Sequence, residues 1–339
     1  MKAKVFAPLL ALCLLAGCTG PNGTQDAQPQ TSTIFAMDTV MELQVYGDES
    51  PLSEAEALIH SLEDSLSVTD ENSDIFALNR DGQAALGADA ASLLETALAL
   101  CERTGGALDV TVYPVVRTWG FTTGEYRVPD TAELGLLLKN VDYRRVSLKD
   151  GFAVLGPGQQ VDLGSVAKGY TSNAIIDLWR EAGVTSALLN LGGNVHALGA
   201  KPDGSPWRVA IQDPFSDGYL GLLEIVDRAV ITSGGYERYF ERDGVTYWHI
   251  IDPATGYPAD SGLASVTIVG ADGAMCDGLS TALFVMGLEK AAAHWRETSD
   301  FEAVFVTSGK QVYITEGLSD IFAPLGDYEQ VEIQVIPRD

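Results

Sequence analysis

Four short segments place side by side residue types that do chemistry. In Val161-Asp162-Leu163-Gly164-Ser165-Val166-Ala167-Lys168-Gly169-Tyr170, an Asp precedes a Gly turn and the start of a helix. The free N–H groups and partial positive charge of a helix start suit an anion. Lys168 falls in the first turn, where a cation is unfavourable for the helix itself, so an external phosphate would account for it; otherwise Asp162 caps the helix and Lys168 is solvated. The pattern lacks the second Gly and the Lys-Ser/Thr pair of a P-loop. In Met275-Cys276-Asp277-Gly278-Leu279-Ser280-Thr281, Asp277 and Thr281 lie four apart and share a helix face. A carboxylate with a hydroxyl is hard-oxygen ligation suited to Mg²⁺, which fills its remaining positions with water and phosphate; otherwise Asp277 is an N-cap and Thr281 bonds back into its helix. In Tyr247-Trp248-His249-Ile250-Ile251-Asp252-Pro253, a strand ends in a His between aromatic and turn residues. Such a His is a candidate general base, or a core His with one hydrogen bond. Gly105-Gly106-Ala107-Leu108-Asp109-Val110-Thr111 runs a helix stop into a small loop with a carboxylate. Asp109 can accept from a ribose or adenine donor, or serve an ordinary C-cap and turn. His60, His196 and His294 are scattered, so no His/Cys cluster has zinc spacing, and no G-x-S-x-G elbow occurs.

The elements that must hold these residues follow from periodicity and turn signals. Thr33 to Val45 reads as one strand, and Ser53-Glu54-Ala55-Glu56 as a capping box opening a helix with Ala55, Leu58, Ile59, Leu62 and Leu66 on one face. Helices are expected over 74–79, over 89–104 with Gly105-Gly106 as the stop, and from Asp130 to about Lys139. Asp150-Gly151 marks a hairpin between 144–148 and 152–155. A short strand over 160–163 leads into a helix over 165–182, and Gly192-Gly193 joins strands over 187–191 and 195–198. Further strands are expected at 208–212, 221–226, 229–232, 238–242, 245–251 and 263–269, then a helix over 277–286 and a last hairpin over 303–315. Strands joined by tight turns, with helices in groups, predict an α+β fold of largely antiparallel sheets with packed helices in a single globular unit.

Composition limits the partners. The net charge is −26, and removal of a leader carrying Lys2 and Lys4 takes the remaining chain to −28. An acidic surface repels nucleic-acid backbones and anionic lipid alike. A nucleotide ligand therefore needs local cations or a metal. The N-terminus reads as a lipoprotein signal peptide, residues 1–17: two lysines, an apolar run from Val5 to Leu15, and Leu15-Ala16-Gly17-Cys18. The run is too short to cross a bilayer of about 30 Å as a helix. Cys18 is the expected lipidation site. Residues 18–32 are rich in Gln, Thr, Pro, Asn and Gly and read as a flexible tether, with the folded domain over 33–339. Cys101 sits in an apolar helix pattern and reads as a buried thiol.

Taken in order, these segments resemble the FAD:protein FMN transferases, the ApbE family of flavin-transfer lipoproteins. The resemblance runs from about Phe35 to Gly287 and rests on Ala36-Met37-Asp38-Thr39, Gly105 to Asp109, Val161 to Gly164 with Ala167 to Tyr170, Asn190-Leu191-Gly192-Gly193-Asn194, Thr232-Ser233-Gly234, His249 to Pro253 with Thr255-Gly256, and Asp277 with Thr281. It implies a T-fold-like α+β domain. It also implies FAD contacts at Met37, Ala107, Leu108, Asp109, Asp162, Lys168 and Ile251, and Mg²⁺ held by Asp277, Thr281 and the Ser165 main-chain carbonyl. His249 would be the base that activates a Thr or Ser hydroxyl of the target protein. The acceptors so implied are flavin-carrying subunits of membrane electron-transfer complexes, met on the outer, periplasmic side of the cell membrane through the lipid anchor. Three positions depart from the family pattern: Asp38 replaces a Gly, Thr69 replaces a flavin-stacking Tyr, and Cys276 and Gly278 replace the Ala residues flanking the metal Asp. Two other activities fit the same residues: a Mg²⁺-dependent FAD pyrophosphatase, in which water replaces the hydroxyl, and a flavin-binding lipoprotein without catalysis.

Overall fold

The computed structural model describes residues 28–48 and 50–339. The expected signal peptide, Cys18 and most of the expected tether lie outside the described residues. Nine strands form one sheet in the order Gln30–Ala36, Thr39–Val45, Ala187–Leu191, Asn194–Leu198, Ala229–Gly234, Leu263–Gly270, Phe301–Thr307, Val312–Thr315 and Ile333–Ile336. Neighbours are antiparallel except the last pair, which is parallel. The fold is the expected α+β class, largely antiparallel, with eight α-helices among the described residues.

Alternation along the central strands divides the core. Ile231, Val266, Ile268, Ala303 and Phe305 face one way, and Val230, Val269, Val304 and Val306 the other. This is the period-two pattern of a sheet buried on both faces. On the first face lie the helices Ser50–Leu66, Ala88–Arg103, Gly164–Glu181 and Gly273–Met286; the second is covered by a three-stranded sheet of Trp207–Gln212, Tyr219–Ile225 and Phe322–Pro324. Both Cys101 and Cys276 are buried free thiols in the helical layer, as expected for Cys101. No helix of the described residues is long and apolar enough to cross a membrane.

Several expected boundaries shift for local reasons. The single strand expected over 33–45 is a hairpin. Ala36 pairs with Thr39, so Met37 and Asp38 alone form the turn. Both have positive φ, 49° and 60°, as a type I′ turn requires. The first strand begins at Gln30, so pairing with Val45 orders three residues assigned by composition to the tether. The Ser50–Leu66 helix starts before Ser53, which lies inside the first turn rather than capping it, although the expected apolar face is the buried one. Residues 160–163 form no strand: the Asn79 side chain bonds both Val161 N and Val161 O, which occupies the groups a ladder would use. The helix expected from Asp277 starts at Gly273, because Asp272 is its N-cap and accepts from Met275 N at 3.0 Å.

Candidate active site

Two helices cross at glycines to build the floor of the site. A Cβ on Gly169 would stand 2.2 Å from the Gly273 carbonyl oxygen, and one on Gly273 2.6 Å from that of Gly169. Only glycine permits this approach. It brings Asp277, one turn into its helix, against the second turn of the other, where Asp277 Oδ2 accepts from Gly169 N at 2.9 Å. In a regular helix that N–H serves the Ser165 carbonyl. Sharing it with Asp277 leaves Ser165 O with accepting capacity.

Asp277 is 4 % exposed, and burial raises its pKa against the opposing charge of Lys168 and the Gly169 hydrogen bond. Hydroxyls surround it. Ser280 Oγ donates to Asp277 O at 2.7 Å, and Ser233 Oγ lies 2.7 Å from Ser280 Oγ and 3.2 Å from Thr281 Oγ1. The Asn194 amide nitrogen, buried nearby, makes no well-formed hydrogen bond. Among the described residues, no three His, Cys, Asp or Glu side chains converge as a metal cluster. One desolvated carboxylate, hydroxyls and a spare carbonyl form an all-oxygen set that fits a hard divalent cation sharing its shell with water and phosphate. The Ser233, Ser280 and Thr281 hydroxyls are brought together beside Asp277, and Asp277 is not the N-cap that the alternative required, since Asp272 holds that place.

The opposite wall is the hairpin Tyr239–Arg242/Val245–Trp248. Its two-residue turn, Asp243-Gly244, sets Tyr239 against Trp248. One step further, Arg238 faces His249: the Arg238 carbonyl accepts from His249 N at 3.0 Å and lies 3.2 Å from His249 Nδ1. A carbonyl can only accept, so the ring proton resides on Nδ1 and Nε2 keeps its lone pair. Burial, then the Arg238 charge, pushes the imidazole pKa down to about 3, so the ring is neutral in the free protein. Packing of Trp119, Tyr126, Phe240, Tyr247 and Phe121 fixes the hairpin: Phe240 stacks on Tyr126 and Tyr247 at 5.1 and 5.2 Å.

Between the walls stand Asp162, Lys168, Glu237 and Arg238. Asp162 Oδ1 accepts from Gly164 N at 2.9 Å, one residue ahead of the N-cap position, which Leu163 occupies without a side-chain cap. Desolvation raises its pKa, opposed by that bond and by the charges of Arg238 and Lys168. Desolvation likewise pushes Glu237 up to about 7, against Lys168 and Arg238. Glu237 keeps solvent contact, while Asp162, Lys168 and His249 are half-buried. Two concavities, of about 500 and 400 Å³, lie elsewhere, along the Ala88–Arg103 helix.

The remaining candidates each have local partners. Met37 N donates to Glu63 Oε1 at 2.6 Å, and Met37 Sδ lies 3.9 Å from Thr171 Oγ1 on the Gly164–Glu181 helix. Asp109 is buried and committed: Oδ1 accepts from Thr111 N and Oγ1, and Oδ2 from Tyr143 N. Its carboxylate shapes the loop, with capacity left on Oδ2 for one more donor. Leu108 is core, packed beside Gly278, and Ala107 is half-buried at the loop surface. Ile251 is buried against the aromatic cluster. Thr69 is tied into the Ser67–Asn72 loop through Ser67 Oγ. Arg238 and Glu237 drew no attention in the sequence, yet counting outward from Asp243-Gly244 pairs 238 with 249 and would have found them.

The ApbE family model matches residues 37–305. The chain belongs to the ApbE family. It is 34% identical to the FAD:protein FMN transferase of Treponema pallidum over 91% of this chain and 93% of that one. With the FAD:protein FMN transferase of Klebsiella pneumoniae it shares 34% identity over 87% and 94%. The structure is similar to that of the ApbE protein of Thermotoga maritima, with a TM-score of 0.82 and 31% identity over 87% of this chain and 99% of that one. It is also similar to the flavinyl transferase ApbE of Pseudomonas stutzeri, with a TM-score of 0.77 and 27% identity over 87% and 96%.

Proposed function

We propose that this ApbE-family chain is an FAD:protein FMN transferase that moves FMN from FAD to a Thr or Ser hydroxyl of a target protein, with Mg²⁺ bound at Asp277, Thr281 and the Ser165 carbonyl. The observation that carries the reading is the neutral His249, its Nδ1 proton spent on the Arg238 carbonyl, within range of the cation Lys168, whose charge also acts on Asp277 in the hydroxyl cluster. A protein that only stores flavin needs no such base.

The residues divide the work. Lys168 and the first turn of the Gly164–Glu181 helix attract the diphosphate of FAD in a chain that is otherwise strongly acidic. The Met37 turn and the loop carrying Ala107, Leu108 and Asp109 bound the space for the nucleoside parts, with Asp162 and Ile251 beside the diphosphate and hairpin. Mg²⁺, when bound, supplies charge that polarises the phosphoryl group. His249 Nε2 takes the proton from the acceptor hydroxyl. A bond forms between that oxygen and the FMN phosphorus, the bond from that phosphorus to the bridging oxygen breaks, and AMP leaves carrying the bridging oxygen. Most of the acceleration then comes from positioning and electrostatic stabilisation. The acceptor we infer is a flavin-carrying subunit of a membrane electron-transfer complex. The enzyme would meet it on the outer, periplasmic face of the membrane, anchored by a lipid on Cys18.

The test is flavin fluorescence that survives denaturation. Protein starting after Cys18, with FAD, Mg²⁺ and an acceptor subunit, should leave flavin on the acceptor and release equimolar AMP, and EDTA should stop both. Free FMN and AMP with no labelled acceptor would replace transfer by hydrolysis.

A further inference from the structure

Arg238 is doubly placed. Its main-chain carbonyl holds both His249 N and His249 Nδ1, and the charge of its exposed side chain acts on Asp162, Glu237 and His249. One guanidinium nitrogen, Nη2, donates to the Phe121 carbonyl at 2.8 Å and so fixes the plane of the group. The other donors are uncommitted. Among the described residues, neither Arg238 nor Lys168 lies within ion-pair distance of a carboxylate, in a chain with 47 acidic residues and 21 basic ones. Six of the other twelve arginines, Arg80, Arg103, Arg127, Arg144, Arg180 and Arg338, do pair with an Asp or Glu. Two unpaired cations whose charges act on the same groups, Lys168 at the helix start and Arg238 beside the hairpin, would form a clamp for an anion with two charged centres. A guanidinium anchored at one nitrogen is rigid and presents its remaining donors in a fixed fork that matches phosphate oxygens.

We propose that Arg238 is a second phosphate-binding cation, opposite Lys168, which grips the diphosphate of the nucleotide from the hairpin side and so ties substrate binding to the position of His249. This rests on the flavin-transferase reading. The coupling follows from connectivity. Any pull on the guanidinium moves the carbonyl that orients His249, so a bound diphosphate holds the base in register with the phosphorus to be attacked.

The test compares ADP with adenosine, both binding as ligands without turnover. In Arg238→Met, affinity for ADP should fall about 10- to 100-fold, the range for losing a hydrogen bond to a charged partner, while affinity for adenosine stays unchanged. The dependence of ADP affinity on salt should become shallower. Arg238→Lys, which keeps the charge but not the fork, should recover part of the ADP affinity. An equal loss for ADP and adenosine would mean that Arg238 only supports the fold, and unchanged ADP affinity would exclude the clamp; either overturns the proposal. Failure of the unsubstituted protein to bind ADP or FAD would instead bring down the flavin reading on which it rests.

Discussion

The proposed base role of His249 needs one bare ring nitrogen, and the hairpin arranges this by giving the other nitrogen a carbonyl to bond. Its depressed pKa keeps the ring neutral throughout the physiological range in the free protein. The His249 ring signals in an NMR titration should therefore not move between pH 5 and 8, with the proton on Nδ1; a midpoint near the ordinary imidazole value of about 6.5 would contradict the account. His249→Ala should lower transfer about 10²- to 10⁴-fold, the usual contribution of general acid–base catalysis, and leave ADP binding intact. At the neighbouring turn, Asp38 at φ 60° occupies a place that suits Gly or Asn. Its short polar side chain tolerates the left-handed region where a β-branched one does not. Asp38→Gly should be near neutral or stabilising, whereas Asp38→Val should cost about 1–2 kcal/mol in urea unfolding. The departure from the family pattern at this position is thus a conservative one, visible only once the backbone angle is known.

The crossing of the Gly164–Glu181 and Gly273–Met286 helices is the element on which the oxygen cluster depends. Gly169→Ala puts a methyl group 2.2 Å from a backbone oxygen, which no side-chain rotation relieves. It should destabilise by about 2–4 kcal/mol and abolish tight Mg²⁺ binding, because Asp277 is displaced with the Gly169 N–H; calorimetry on a folded variant with normal Mg²⁺ affinity would refute this. Gly278 is also a packing residue, since a Cβ there meets Leu100, Val166 and Leu108 at 2.8–3.2 Å. The sequence showed the helices, their Gly stops and the Asp150-Gly151 hairpin, because period and turn chemistry are local. It showed the segments bearing His249, Asp162, Lys168 and Asp277, because their residue types and spacing are themselves chemical. It did not show that Gly169 and Gly273 touch, that Asp272 rather than Asp277 caps its helix, or that Asp109 is tied to Tyr143, since each depends on a partner distant in sequence. The Met37-Asp38 turn was missed for another reason: neither residue is the glycine that usually marks such a turn.

At the scale of the molecule, an acidic chain would bind its proposed anionic substrate through a few unpaired cations, Lys168 and Arg238. The stability of the whole also depends on a buried His away from that site. His196 bonds Ser172 through Nδ1 at 3.0 Å and is 2 % exposed; burial, then Arg180, pushes its pKa down to about 4. The unfolded chain binds a proton there below about pH 6.5, whereas the fold does not until about pH 4. Its contribution is present above pH 6.5 and is lost as pH falls toward 4, by about 3 kcal/mol. His196→Gln should flatten the unfolding free energy across that window; an unchanged slope would contradict it. If Cys18 carries the lipid, Cys18→Ser should move the protein from the membrane fraction to the soluble one without changing its activity on a soluble acceptor. The most direct test of the central claim is the intact mass of an acceptor subunit incubated with the soluble chain, FAD and Mg²⁺. A gain of one FMN, less the water lost in the phosphoester, at a single Thr or Ser and absent with His249→Ala is the predicted result, and an unmodified acceptor alongside full conversion of FAD to FMN and AMP would contradict it.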